Sequence, residues 1–103
     1  MSNVLIATWN VNSIRARFSL MTEWLKENKP DIVLIQELKA KDEDVPTQEL
    51  SDLKYNIILK GQKSYNGVAI LSKYPISDVV YSLPTFSSDI QSRYIEAWIN
   101  INE

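Results

Sequence analysis

Val4-Leu5-Ile6-Ala7-Thr8-Trp9-Asn10 and Ile32-Val33-Leu34-Ile35-Gln36-Glu37 are two apolar runs that each close on polar residues. Their apolar residues are consecutive rather than alternating, the pattern of strands covered on both faces. Between them the period changes. Ile14, Phe18, Met21, Trp24 and Leu25 recur at helical spacing, with Arg15, Arg17, Glu23, Lys26 and Glu27 taking the other side. Ser13 is placed to cap this helix, and Pro30 stops it shortly after Asn28. Residues 4–37 therefore predict a strand–helix–strand unit, with strands at 4–9 and 32–35. A crossover of that length returns the chain parallel to its first strand, with right-handed connection the rule. Parallel strands share a carboxyl rim, so Asn10 and Glu37 are expected on one edge, with backbones about 5 Å apart if the strands are neighbours. Ligand sites in such sheets favour that rim.

Outward from this unit the signals are shorter. A charged loop at 39–44 and Pro46 lead into a short helical stretch at 47–53. Residues 55–60 and 67–72 read as the two strands of a hairpin, with turn chemistry in Asn66-Gly67. Tyr74-Pro75 breaks the next segment; 78–81 reads as a short edge strand and 83–89 as loop. A last strand is expected at 93–102, where Ile95, Ala97, Ile99 and Ile101 alternate with their neighbours. Trp9, Trp24 and Trp98 are most simply core residues, since tryptophan buries a large area.

Bulk composition bounds the rest. One small domain, or part of a larger one, fits 103 residues. A hydrophobic content of 45% is ordinary for a globular chain, and a net charge of −2 neither demands nor excludes a nucleic-acid partner. The chain has no cysteine, which removes disulfides and thiolate metal sites and suits a reducing cytoplasm. No apolar run approaches the length of a membrane span. With no histidine in the sequence, a histidine-dependent triad or zinc site is excluded within it, and two glycines leave no glycine-rich phosphate loop.

Candidate chemistry gathers at the strand ends. Glu37 reads as a ligand for Mg²⁺, which takes one or two carboxylates and fills its octahedron with water and phosphate, or as a solvated glutamate opening a loop. Asn10 and Asn12 read as groups orienting a carboxylate or water, or as caps for the following helix. Lys39 approaches a phosphate or merely belongs to the charged loop. Lys63 and Tyr65 in the hairpin link, with Gln62, suit a DNA backbone and groove, or form an ordinary polar turn. Arg15 and Arg17 open the helix, where a phosphate is favoured, although exposed helical arginines are commonplace.

The run Thr8-Trp9-Asn10-Val11-Asn12-Ser13-Ile14-Arg15-Ala16-Arg17 resembles the opening of exonuclease III and related abasic-site endonucleases, of the endonuclease/exonuclease/phosphatase superfamily. Three further segments match in order: Pro30-Asp31-Ile32-Val33-Leu34-Ile35-Gln36-Glu37-Leu38-Lys39, Gly61-Gln62-Lys63-Ser64-Tyr65-Asn66-Gly67-Val68-Ala69-Ile70-Leu71-Ser72, and Arg93-Tyr94-Ile95-Glu96-Ala97. The resemblance implies an α/β fold, the deoxyribonuclease I-like α-β-β-α sandwich, here about half of it: one mixed sheet with flanking helices and a second sheet missing. It implies that Asn10 and Glu37 belong to the catalytic site, that Glu37 and Asn12 lie at Mg²⁺ (with Mn²⁺ as substitute), and that Arg15, Lys63 and Tyr65 lie near DNA, with Lys39 beside the metal-binding glutamate.

The family pattern continues with Gly-Asp-x-Asn and Ser-Asp-His segments that carry the water-activating Asp, a phosphate-binding Asn and the catalytic His; none occurs in this sequence. The expectation is an incomplete amino-terminal part, residues 1–103, of a Mg²⁺-dependent DNA-repair nuclease acting on double-stranded DNA at abasic sites or 3′ ends. Alone it is expected to be inactive and to expose a large apolar surface. The alternatives are a non-catalytic DNA- or protein-binding module, half of a split enzyme completed by a second polypeptide, or a phosphatase of the same superfamily.

Overall fold

A computed structural model of the chain describes residues 3–82 and 91–101. The loop expected at 83–89 and Asn102 of the expected last strand lie outside the described residues. The strand–helix–strand unit forms as β1 (Ile6–Asn10), α1 (Ile14–Asn28) and β2 (Ile32–Gln36). Strands β1 and β2 pair in parallel, with Asn10 opposite Gln36. After a single 3-10 turn at Asp42–Asp44 come α2 (Thr47–Asp52), β3 (Asn56–Lys60), β4 (Val68–Ser72), β5 (Ile76–Val80) and β6 (Glu96–Ile99).

Local chemistry sets the ends of α1. The Ser13 hydroxyl accepts a hydrogen bond from the Ala16 amide at 3.3 Å, satisfying one of the free donors of the first turn. At the other end Lys29 turns left-handed, its amide donating to the Leu25 carbonyl, and Pro30 prevents further helix. The helix buries Ile14, Met21 and Leu25. Each such side chain contributes about 1.5–3 kcal/mol on leaving water.

Four strands form one mixed sheet in the order β1-β2-β4-β3, with β4 antiparallel to both neighbours. Strand β4 sits between β2 and β3 and is buried along its whole length. One face carries Val33, Ile35, Ala69 and Leu71 into a core with Ile14, Met21 and Leu25 of α1 and Leu50 of α2. Trp9 and Trp24 pack against that core and meet edge to face, ring centroids 5.5 Å apart. The α/β architecture with one mixed sheet and its helices is thus the one expected.

Three details differ from the sequence reading. Strand β1 is not covered on both faces: its exposure alternates, and Ile6 is 56% exposed, because β1 is an edge strand whose second face meets little of the described chain. Leu34 on β2 is exposed as well, at 37%. Strands β5 and β6 form a second, two-stranded antiparallel sheet. Trp98 on β6 is not a core residue but 73% exposed; alternation along so short a ribbon turns it away from the partly buried Ala97 and Ile99.

Candidate active site

The parallel register is what builds the rim. Because Asn10 lies opposite Gln36, the chain beyond each strand runs on side by side. The amides of Val11, Ser13 and Ile14 donate to the carbonyls of Gln36, Glu37 and Leu38 at 3.0, 2.9 and 3.0 Å. On the far side, the amides of Leu38 and Lys39 donate to the carbonyls of Gly67 and Asn66 at 3.1 and 2.8 Å. Glu37 therefore rides on a segment stitched along both edges, between the β1–α1 loop and the base of the β3–β4 link.

This stitching holds backbone conformations that side chains disfavour. Asn12, Ser13, Glu37, Lys39 and Asn66 all have positive φ, at 47°, 86°, 59°, 54° and 51°. For residues other than glycine or asparagine the left-handed conformation costs about 1–2 kcal/mol each. Such conformations persist only where the surroundings over-determine them, and they gather at functional sites.

The side chains converge accordingly. The Asn10 Oδ1 accepts from the Asn12 amide at 3.1 Å, so Asn10 fixes the loop that carries Asn12. Lys39 donates from Nζ to the Asn12 Oδ1 at 2.5 Å and stands 3.8 Å from the Glu37 Oε1. Gln36 donates to the Thr8 hydroxyl at 2.8 Å, extending the polar strip along the open face of β1 and β2. Glu37 and Lys39 are both partly open to solvent, so their attraction is screened and weak.

A cleft of about 240 Å³ opens at this rim, lined by Asn10, Gln36, Glu37, Asn66, Ser92 and Arg93 among others. A larger groove of about 620 Å³ lies between α2 and β3, but Thr47, Gln48, Ser51, Tyr55, Asn56, Ile57, Ile58 and Ile76 bring no charged group to it. Chemistry, not size, marks the rim cleft. Among the described residues no three His, Cys, Asp or Glu side chains group to hold a metal. A cation at the rim would take the single Glu37 carboxylate and amide oxygens, with water and ligand completing its shell. That hard, sparse donor set fits an ion of the Mg²⁺ kind and not a thiolate or imidazole centre.

Asn10, Asn12, Glu37 and Lys39 are thus brought together. Arg15, Lys63 and Tyr65 stand exposed outside the cleft, Arg15 in the first turn of α1 and the other two in the link between β3 and β4. Gln36, Asn66, Ser92 and Arg93 were not singled out as site residues. Arg93 opens the segment Arg93-Tyr94-Ile95-Glu96-Ala97, which was the signal available for it.

An amide network ties that segment to the link. The Asn66 side-chain amide donates to Gln91 and Gln62 at 2.5 and 3.2 Å. The Ser92 amide donates to the Gln62 side chain at 2.9 Å, and the Gly67 amide to the Ser92 carbonyl at 2.8 Å.

The sequence pattern of the Endonuclease/Exonuclease/phosphatase family matches residues 7–102. Exodeoxyribonuclease III of Haemophilus influenzae is 33% identical over 90 residues, which cover 87% of this chain and 34% of that protein. The 3′ phosphatase NExo from Neisseria, solved with a product DNA hairpin, superimposes with a TM-score of 0.91 at 39% identity, over 94% of this chain and 38% of that one. An AP endonuclease from Archaeoglobus fulgidus gives 0.88 at 40% identity, over 94% and 37%. The chain spans a little over a third of the length of these relatives. With the family pattern running from the first strand almost to the last residue, and the strand-end asparagine and glutamate meeting on one rim, the chain belongs to the endonuclease/exonuclease/phosphatase family.

Proposed function

We propose that this chain forms the amino-terminal, cation-binding part of a divalent-metal-dependent nuclease of the exonuclease III kind, acting in repair on double-stranded DNA at abasic sites or 3′ ends. The observation that carries the reading is the β1–β2 register, which sets Asn10 and Glu37 on one rim with Arg93, Asn12 being held to Asn10. The likeness to a Neisseria protein solved with a DNA hairpin supports the choice of substrate class.

Glu37 and Asn12 are the residues that would hold Mg²⁺ or Mn²⁺. Such an ion neutralises charge building on a phosphodiester oxygen and polarises the bond. Asn10 positions the Asn12 loop through its carbonyl oxygen. The Arg93 guanidinium, at the same cleft, suits a phosphate oxygen. Arg15, Lys63 and Tyr65 give DNA further contacts away from the cleft. Deprotonating the attacking water requires a base, and this sequence holds neither a histidine nor the Gly-Asp-x-Asn and Ser-Asp-His segments of the family. Losing a general base removes about 10²–10⁴-fold of rate. The cysteine-free sequence suits the cytoplasm as the place of action. Among the described residues no helix is long and apolar enough to cross a membrane.

The test is a duplex with one abasic site, incubated with Mg²⁺ and the purified 103-residue chain. Negligible nicking is expected, with activity appearing when a polypeptide carrying the absent segments is added. Efficient nicking by the chain alone would overturn its incompleteness. Failure of every such mixture, with no DNA binding, would sink the nuclease reading.

A further inference from the structure

Lys39 places its ammonium on the same two side chains that face a cation in the reading above. Its Nζ donates to the Asn12 Oδ1 at 2.5 Å and lies 3.8 Å from the Glu37 Oε1. The backbone beneath is held independently of this contact. The Lys39 amide donates to Asn66, the Glu37 carbonyl accepts from Ser13, and Leu38 between them is fully buried. The side chains above it are open to solvent: Asn12 is exposed, and Lys39 and Glu37 are 34% and 43% exposed. The backbone therefore keeps Asn12 and Glu37 close together, while the ammonium that bridges their oxygens is held by side-chain contacts alone.

We propose that Lys39 is the resident counter-cation of this site, an ammonium that a divalent ion displaces from Asn12 and Glu37 when it binds. The inference rests on the reading of Glu37 and Asn12 as cation ligands. Lys39 is then a positioning residue that sets the concentration of metal at which the site fills. It lowers affinity in two ways: its hydrogen bond and ion pair are broken on displacement, and its charge stays nearby to repel the incoming ion.

The readout is Mn²⁺ binding to the 103-residue chain, followed by paramagnetic broadening of amide signals around residues 10–12 and 36–39. Lys39→Met keeps the stem and removes the charge. Exchanging one partly exposed ion pair for none is expected to tighten Mn²⁺ binding by roughly two- to fivefold. Lys39→Ala should do the same, whereas Lys39→Arg, still cationic, should stay near the wild type. Glu37→Gln should abolish the local broadening. Unchanged or weaker binding by both neutral variants, with Glu37→Gln still abolishing it, overturns the displacement and leaves the cation site standing. Absence of local broadening in the wild type and in every variant overturns both together.

Discussion

A Cβ built on Gly67 would stand 2.8 Å from the Cβ of Leu38, closer than real Cβ contacts come. Gly67 also has a φ of 94°, which L side chains rarely adopt. Its carbonyl accepts from the Leu38 amide, and Leu38 is fully buried, so neither partner yields. The close approach is what lets the β3–β4 link lie against the segment carrying Glu37. Gly67→Ala is therefore expected to cost about 2–3 kcal/mol, strain and clash together. Urea unfolding of the two proteins measures this; a difference below about half a kcal/mol, the scale of an ordinary surface substitution, would contradict it.

Burial, with the nearby Asp31 charge adding, pushes the Tyr55 hydroxyl from 10.0 up to about 12. The protonated hydroxyl donates to the Pro30 carbonyl at 2.6 Å. The unfolded chain releases this proton near 10.0, while the folded chain keeps it until about 12. Rising pH in that window therefore favours the unfolded state, and the contribution is complete below it. Stability of the wild type should fall from pH 10 toward about 12. Tyr55→Phe should remove that component and, leaving a carbonyl unpaired, lower neutral-pH stability by about 1–2 kcal/mol. Tyrosinate absorbance gives a second check: with one of the five tyrosines gone, the late part of the titration should shrink.

Leu71 and Trp98 invert the usual expectation from size. Leu71, in the middle of the sheet, is fully buried, and Leu71→Ala should cost about 3 kcal/mol through the cavity it leaves. Trp98 is the larger side chain but 73% exposed, so Trp98→Ser should change stability by less than about 0.5 kcal/mol. Thermal or urea midpoints of both variants decide it, and a costlier Trp98→Ser would contradict the exposure of β6.

Arg15 and Lys63 carry their charges at the surface, on α1 and on the β3–β4 link. If each meets a DNA phosphate, replacing either by Ala should weaken binding for all sequences and lower the slope of affinity against salt by about one. Fluorescence titrations of a duplex at several salt concentrations measure that slope. Equal slopes for wild type and both variants would remove these residues from the DNA interface.

Much of the fold was legible because its signals are local. The period of α1, its Ser13 cap and the Pro30 stop all act within a few residues. The apolar runs of β1 and β2 sit one crossover apart, which fixed their parallel pairing. That pairing puts Asn10 and Glu37 on one rim. Strand ends were less legible: the last strand, read as 93–102, is Glu96–Ile99, since alternation says nothing of where a partner strand stops.

The sequence by itself determined the strand–helix–strand unit, the rim and the polar residues that end on it, because periodicity, capping and connectivity are properties of neighbouring residues. Only the tertiary structure decided which side chains meet there. Lys39 reaches Asn12 across 27 positions, and Arg93 enters the Glu37 cleft from a segment 56 residues further along the chain. Exposure of Ile6 and Trp98 was likewise a tertiary outcome. An apolar residue carries its own cost of meeting water, but whether another layer covers it depends on where distant strands run.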